Sequence, residues 1–179
     1  MVWRLGSARY PQQHCSLSTF SCLSQFRRPP DQHGALHSVI ANYTVPCWDL
    51  PRYLYFVEYA QKQACCNSDG NFKAADIWSP LRGPNHLHQL VPKHVNWANL
   101  TQFISTFADY HHTFNWARQR QPWVTIYEID TERLDDRYCW VFHASEFTPR
   151  CFESEFLFLH TISGDAIVRT TTLGRSACK

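Results

Sequence analysis

Beyond Pro122 the chain is a succession of apolar runs too short for helices, each closed off by turn residues. Trp123 to Ile129, Tyr138 to Ala144, Glu155 to Ile162 and Ala166 to Thr172 all have strand length and are rich in aromatic and β-branched residues. Ser163-Gly164-Asp165 supplies a turn between the last two. Upstream, Tyr53-Leu-Tyr-Phe-Val-Glu-Tyr59 alternates and reads as a strand, Cys65 to Ala75 reads as a loop around Asn67-Ser-Asp-Gly70, and Thr101 to Phe107 is another strand-length run. Two stretches carry the 3.6-residue period of a helix. The first is Leu87, Leu90, Val91, His94 and Val95, with Pro92 either in its first turn or breaking it. The second is Phe107, Tyr110, Phe114 and Ala117, with Arg118 and Arg120 suitably placed near its C-terminal end. Helices early and strands late predict an α+β arrangement rather than alternating βαβ units.

Composition agrees with a packed domain. Of 179 residues, 44% are hydrophobic and only 18% charged, which excludes disorder of the low-hydrophobicity, high-charge kind. A formal net charge of +2 gives no basis for nucleic-acid binding or an anionic membrane surface, and no apolar run is long enough to span a bilayer. Residues 1–46 differ from the rest. They are rich in Ser, Gln, His and Pro, and carry Arg4, Arg9, Arg27 and Arg28 before the first acid, Asp31. That composition suits a transit peptide, a poorly structured extension or a wrongly assigned start. Pro29-Pro30 and Pro46 are breakers, so the expected domain runs over 47–179. Eight cysteines with no Cys-x-x-Cys spacing and no obvious signal peptide predict free thiols and favour an intracellular protein, with one or two bridges as the alternative. Asn42-Tyr43-Thr44 and Asn99-Leu100-Thr101 fit the glycosylation triplet, which matters only for a secreted chain.

The ten histidines include His86, His88, His94 and His111-His112. Their spacing matches no helical His-Glu-x-x-His pattern and no acid accompanies them closely, so no metal site is predicted. There is no glycine-rich phosphate loop and no Gly-x-Ser-x-Gly elbow. Seven Trp and eight Tyr without a basic stripe point to core packing rather than stacking on nucleic acid.

The candidate chemistry lies in Glu153-Ser154-Glu155, at the head of an apolar run. Period-two alternation puts both acids on one strand face. Two like charges side by side either face water or line a cleft. Ahead of them in the chain, Phe103-Ile-Ser-Thr-Phe107 is a strand ending in Ser-Thr and followed by a helix. After them come Ile162 and Ile167, seven and twelve residues beyond Glu155. This order of motifs resembles the ADP-ribosyltransferase superfamily, in particular its cholera and heat-labile enterotoxin group. Leu54-Tyr-Phe-Val-Glu-Tyr59 and Gly70-Asn-Phe-Lys-Ala74 are similar to that family's opening strand and Gly-Phe segment, with Asn71 as an insertion. The likeness spans about Pro51 to Thr172 and extends to uncharacterised fungal domains.

The resemblance implies an ADP-ribosyltransferase-like fold of two packed, antiparallel-rich sheets with flanking helices, and NAD as substrate. It assigns Glu155 as the catalytic acid that steadies the positive charge developing on the nicotinamide ribose. Glu153 would polarise an acceptor, often an arginine of a protein. Ser105 would hold Glu155 in place, and Thr106 would support the strand end. The family's first strand carries an arginine for the NAD phosphates in the pattern Leu-Tyr-Arg; here Phe56 stands at that position. A phenyl ring cannot make the forked, charge-assisted hydrogen bonds of a guanidinium. Arg52, an even number of residues earlier, shares the Phe56 face of the strand and is the remaining cation there. Two readings follow. One is an atypical NAD site that transfers ADP-ribose to a protein or hydrolyses NAD. The other is a protein-interaction module on the same fold without catalysis.

Overall fold

The structure is a computed structural model that describes residues 40–59, 64–96, 101–120, 123–135 and 139–174. The described residues hold nine strands and two α-helices of more than one turn: β1 Tyr53–Tyr59, β2 Ala64–Cys66, β3 Phe72–Ala74, α1 Pro84–Val95, β4 Phe103–Phe107, α2 Tyr110–Arg118, β5 Trp123–Asp130, β6 Val141–His143, β7 Glu155–Leu159, β8 Thr161–Ile162 and β9 Ile167–Gly174. Six strands form one sheet in the order β6-β7-β4-β1-β5-β9, and three form a second in the order β2-β3-β8. Every pairing is antiparallel. The fold is therefore α+β, with helices on an antiparallel-rich pair of sheets.

Alternation along the strands divides the core. On one face of the large sheet, Leu54, Phe56, Ile104, Ile129, Phe156 and Phe158 pack with Phe72, Ala74 and Ile162 of the small sheet. On the other face two separate clusters form under the helices. Phe103, Phe142, Leu157 and Leu159 meet Leu87 and Val91 of α1. Val57, Tyr59, Val124 and Ile126 meet Ala117 of α2, with Phe114 and Trp116 at its edge.

The chain departs from its sequence-based outline at several points. The Cys65–Ala75 stretch holds the two short strands β2 and β3 around a turn. In that turn Asn67 Oδ1 accepts from the Asp69 and Asn71 amides. The inserted Asn71 has a structural use: its Oδ1 accepts the Gly164 amide at 2.8 Å. Pro92 lies inside α1, past the first turn. Phe107 ends β4 rather than opening a helix; α2 starts after Asp109, whose carboxylate caps it by accepting the His112 amide at 3.1 Å. The run from Glu155 to Ile162 is two strands. His160, at φ 66°, turns the chain out of β7, and β8 continues in the other sheet. Its amide donates to Gln102 O and its carbonyl accepts from Ala74 N, so the kink is tied to both sheets.

Packing begins before the expected boundary at residue 47, because Ile40 is completely buried against α1. The extension expected for the first 46 residues lies outside the described residues up to position 39, as does Asn99 of the second glycosylation triplet. Cys47, Cys66, Cys139 and Cys151 carry free thiols. Among the described residues no helix is long and apolar enough to cross a membrane.

Candidate functional site

The large sheet is split where it carries chemistry. β1 pairs with β5 over all seven of its residues, Tyr53↔Asp130 to Tyr59↔Val124. With β4 it pairs only at Tyr55↔Phe107 and Phe56↔Thr106. Beyond Phe56 the two strands part. Val57 and Tyr59 follow the cluster under α2, while Phe103 follows the cluster under α1. A cleft of about 690 Å³, its open mouth included, occupies the gap. Phe56 sits at the vertex. Val57 and Tyr59 border one side and Phe103, Ile104, Ser105 and Phe107 the other, with Glu155, Trp116, Phe152, Arg150 and His94 completing the lining.

Register brings Ser105 and Glu155 together. β4 and β7 pair Ser105 with Leu157 and Phe107 with Glu155, so Ser105 and Glu155 share the helix-side face two residues apart on adjacent strands. Ser105 Oγ donates to Glu155 Oε1 at 2.7 Å. Glu155 is only 4% exposed. Burial pushes its carboxyl above the usual range, and hydrogen bonds from Ser105 and the Phe152 backbone pull the other way. Burial pushes up the neighbouring Cys151 thiol, and Glu155 adds to the rise.

Behind Ser105 stands a side chain that the sequence reading put on a helix stripe and among the histidines, with no role in the site. His94, in the last turn of α1, has Nε2 at 2.8 Å from Ser105 Oγ and Nδ1 at 2.5 Å from Thr101 Oγ1. Ser105 gives its proton to Glu155, so its oxygen must accept from His94 Nε2–H. Nδ1 then accepts from the Thr101 hydroxyl. The result is a directed chain, Thr101 to His94 to Ser105 to Glu155. His94 is 4% exposed, and burial drives it down to about 4, so it is neutral at pH 7. Its sequence signal was a polar residue on the apolar stripe of a helix, in line with Leu87 and Val91.

The other expected site residues lie elsewhere. Glu153 does not share a strand face with Glu155: β7 begins at Glu155, and Glu153 is an exposed residue of the turn closed by Glu155 N–H donating to Phe152 O. Thr106 is completely buried on the opposite face, where its hydroxyl donates to Phe156 O at 3.0 Å and ties β4 to β7. It supports the strand pair but does not reach the cleft. Arg52 is bound to Asp130 at 3.1 Å and to Glu132, at the other end of β1, and is absent from the cleft lining. Phe56 packs on Phe72 and Tyr127. The cation that does line the cleft is Arg150, which no sequence pattern singled out. Among the described residues no group of three or more His, Cys, Asp or Glu is placed to hold a metal ion.

The cleft has the usual makeup of a small-molecule site, apolar walls with a few convergent polar groups. The buried carboxylate of Glu155 is held by a hydroxyl whose direction is fixed from behind. Such a group can steady positive charge on a ligand and cannot deliver a proton while ionised. No curated protein and no solved structure matches the chain. A family model described as Domain of unknown function (DUF7587) matches residues 49–176, which takes in the whole of the cleft and most of the chain, and the protein belongs to that family.

Proposed function

We propose that the cleft binds NAD and that Glu155 promotes cleavage of its nicotinamide–ribose bond, with ADP-ribose passing to a protein nucleophile or to water. The observation that carries this reading is the 2.7 Å hydrogen bond from Ser105 to Glu155 at the split between β1 and β4. It holds a buried carboxylate in one orientation, which supports a role against a ribose. As the C1′–N bond breaks, its electron pair leaves with nicotinamide, which departs neutral. Positive charge grows on the ribose and is stabilised by Glu155. The nucleophile then adds to C1′ and releases one proton.

Each residue around Glu155 has a part in this scheme. His94 and Ser105 hold the carboxylate at one orientation, so no reorganisation is needed as charge develops. Phe107, Trp116 and Phe152 form an aromatic wall suited to the faces of a pyridine or purine ring. Glu153, exposed beside the mouth, is free to meet an acceptor from solvent.

The test is nicotinamide release from NAD by the purified protein, and labelling of a protein mixture. Activity lost in Glu155→Gln with the fold intact supports the proposal. Absence of NAD turnover in the wild type refutes it. A second reading is favoured by one observation: the vertex of the cleft is filled by Phe56, and no cation stands there among the described residues. On that reading the cleft is an aromatic-lined binding site without catalysis, and NAD shifts neither the melting temperature nor the fluorescence of Trp116.

A further inference from the structure

Among the described residues that line the cleft, Glu155 is the only acid and Arg150 the only base that is charged at neutral pH. The inner end is apolar, formed by Phe56, Val57, Phe103 and Ile104. Among the described residues no side chain there carries a positive charge for the two phosphates of a dinucleotide, and Arg52 is engaged with Asp130 and Glu132. The rim is different. Arg150 lies in the loop between β6 and β7, five residues before Glu155. Its amide donates to Thr148 Oγ1 at 3.3 Å, and the next residue, Cys151, donates its thiol to Thr148 O at 3.1 Å. Pro149 stiffens the same turn. The backbone is thus pinned, while the side chain is exposed and has no ion pair among the described residues. Arg120 adds a second positive charge outside the cleft, its guanidinium over the Trp116 ring at 4.7 Å and the Tyr59 ring at 5.7 Å.

We infer that Arg150 is the diphosphate anchor of the cleft, supplied from the loop before β7. The inference rests on the NAD reading above and gives the ligand a direction. With the diphosphate at the cationic rim, the nicotinamide ribose points inward to Glu155 and the adenosine outward past the aromatic wall. A guanidinium is suited to this task because its fork matches two phosphate oxygens at once. Glu155 would repel the phosphates and attract the pyridinium, so the two charges sort the ends of the ligand.

The test is binding of ADP-ribose and of nicotinamide to wild type, Arg150→Gln, Arg150→Lys and Arg120→Gln, followed by calorimetry or Trp fluorescence, with thermal melts to check folding. Arg150→Gln is expected to weaken ADP-ribose by about 10- to 100-fold, the usual cost of a lost charge-assisted contact, and to leave nicotinamide within about twofold. Arg150→Lys restores part of that loss, and Arg120→Gln changes ADP-ribose by less than about threefold because its guanidinium is engaged over the Trp116 and Tyr59 rings. If wild type binds ADP-ribose and Arg150→Gln binds it equally well, the anchor is elsewhere and the NAD reading still stands. If wild type binds neither NAD nor ADP-ribose, both fall together.

Discussion

His94 gives the domain a sharp dependence on pH that can be worked out in advance. Its imidazole is buried and neutral, with its protonation held near pH 4 against an ordinary value of 6.5. A base depressed on folding destabilises the fold once the unfolded chain begins to take up the proton. Stability from this group is therefore complete above pH 6.5 and is lost as pH falls toward 4. At about 1.4 kcal/mol per pH unit, the loss over that window is about 3 kcal/mol. That is a large share of the 5–15 kcal/mol by which a typical domain is stable. The perturbation is His94→Gln, which can still donate to Ser105 but does not titrate. Urea unfolding of both proteins at steps from pH 7.5 to 4.5 measures the difference. At pH 7.5 the variant should be less stable by about 1–3 kcal/mol, because Thr101 loses its acceptor. The gap should then narrow as pH falls, and close or invert near pH 4.5. Parallel curves for the two proteins across pH 6.5 to 4.5 would show that His94 does not carry the buried neutral charge state assigned to it. Nitrogen-detected NMR of the wild type should in addition find its proton on Nε2 at pH 7.

Glu155→Gln should raise the melting temperature at neutral pH while abolishing nicotinamide release. Its carboxyl is pushed up by burial, so its ionisation opposes folding as pH rises through that value, and an unchanged or lowered melt would contradict the assignment. Gly164→Ala should destabilise by roughly 1–3 kcal/mol in thermal unfolding, because the new Cβ would lie 2.6 Å from the Gly70 carbonyl oxygen at the contact between the Asn67–Gly70 turn and the β8–β9 connection. Arg52→Gln should cost about 1 kcal/mol or less, given its partly exposed guanidinium, and leave the Kd for ADP-ribose unchanged; a large change in binding would return Arg52 to the site.

The strands were legible because their side chains alternate against a two-sided core. β1, β4, β5, β7 and β9 fall where aromatic and β-branched runs stand between turn residues. The partnership of Ser105 with Glu155 was legible only through a resemblance, since fifty residues separate them and no local pattern records which strands become neighbours. Alternation failed at Glu153 because it presumes that the strand has already begun; the turn from Phe152 to Glu155 delays it by two residues. β2 and β3 were missed because three-residue strands carry too few positions to show a period. Arg150 had no signal at all, since a single base in a polar loop is ordinary until its neighbours in space are known.

The same limit explains the cleft. A strand as regular as β1 suggests two complete ladders, yet only the one with β5 is complete. The break follows from the helix-side core being two clusters rather than one. Val57 and Tyr59 are drawn to Ala117 and Trp116 beneath α2, and Phe103 to Leu87 and Val91 beneath α1, so neither side can close the gap without exposing apolar surface. The opening is thus maintained by burial on both flanks. Glu155 can be held within it at the cost of a raised pKa because the strands on either side are anchored elsewhere. Replacing the apolar vertex with a base would not supply a phosphate grip cheaply: a guanidinium at position 56 would displace a ring packed on Phe72 and Tyr127 and place a charge between the sheets. The rim, where Arg150 stands in solvent on a pinned loop, is the place in this architecture where a cation can serve the cleft without being buried.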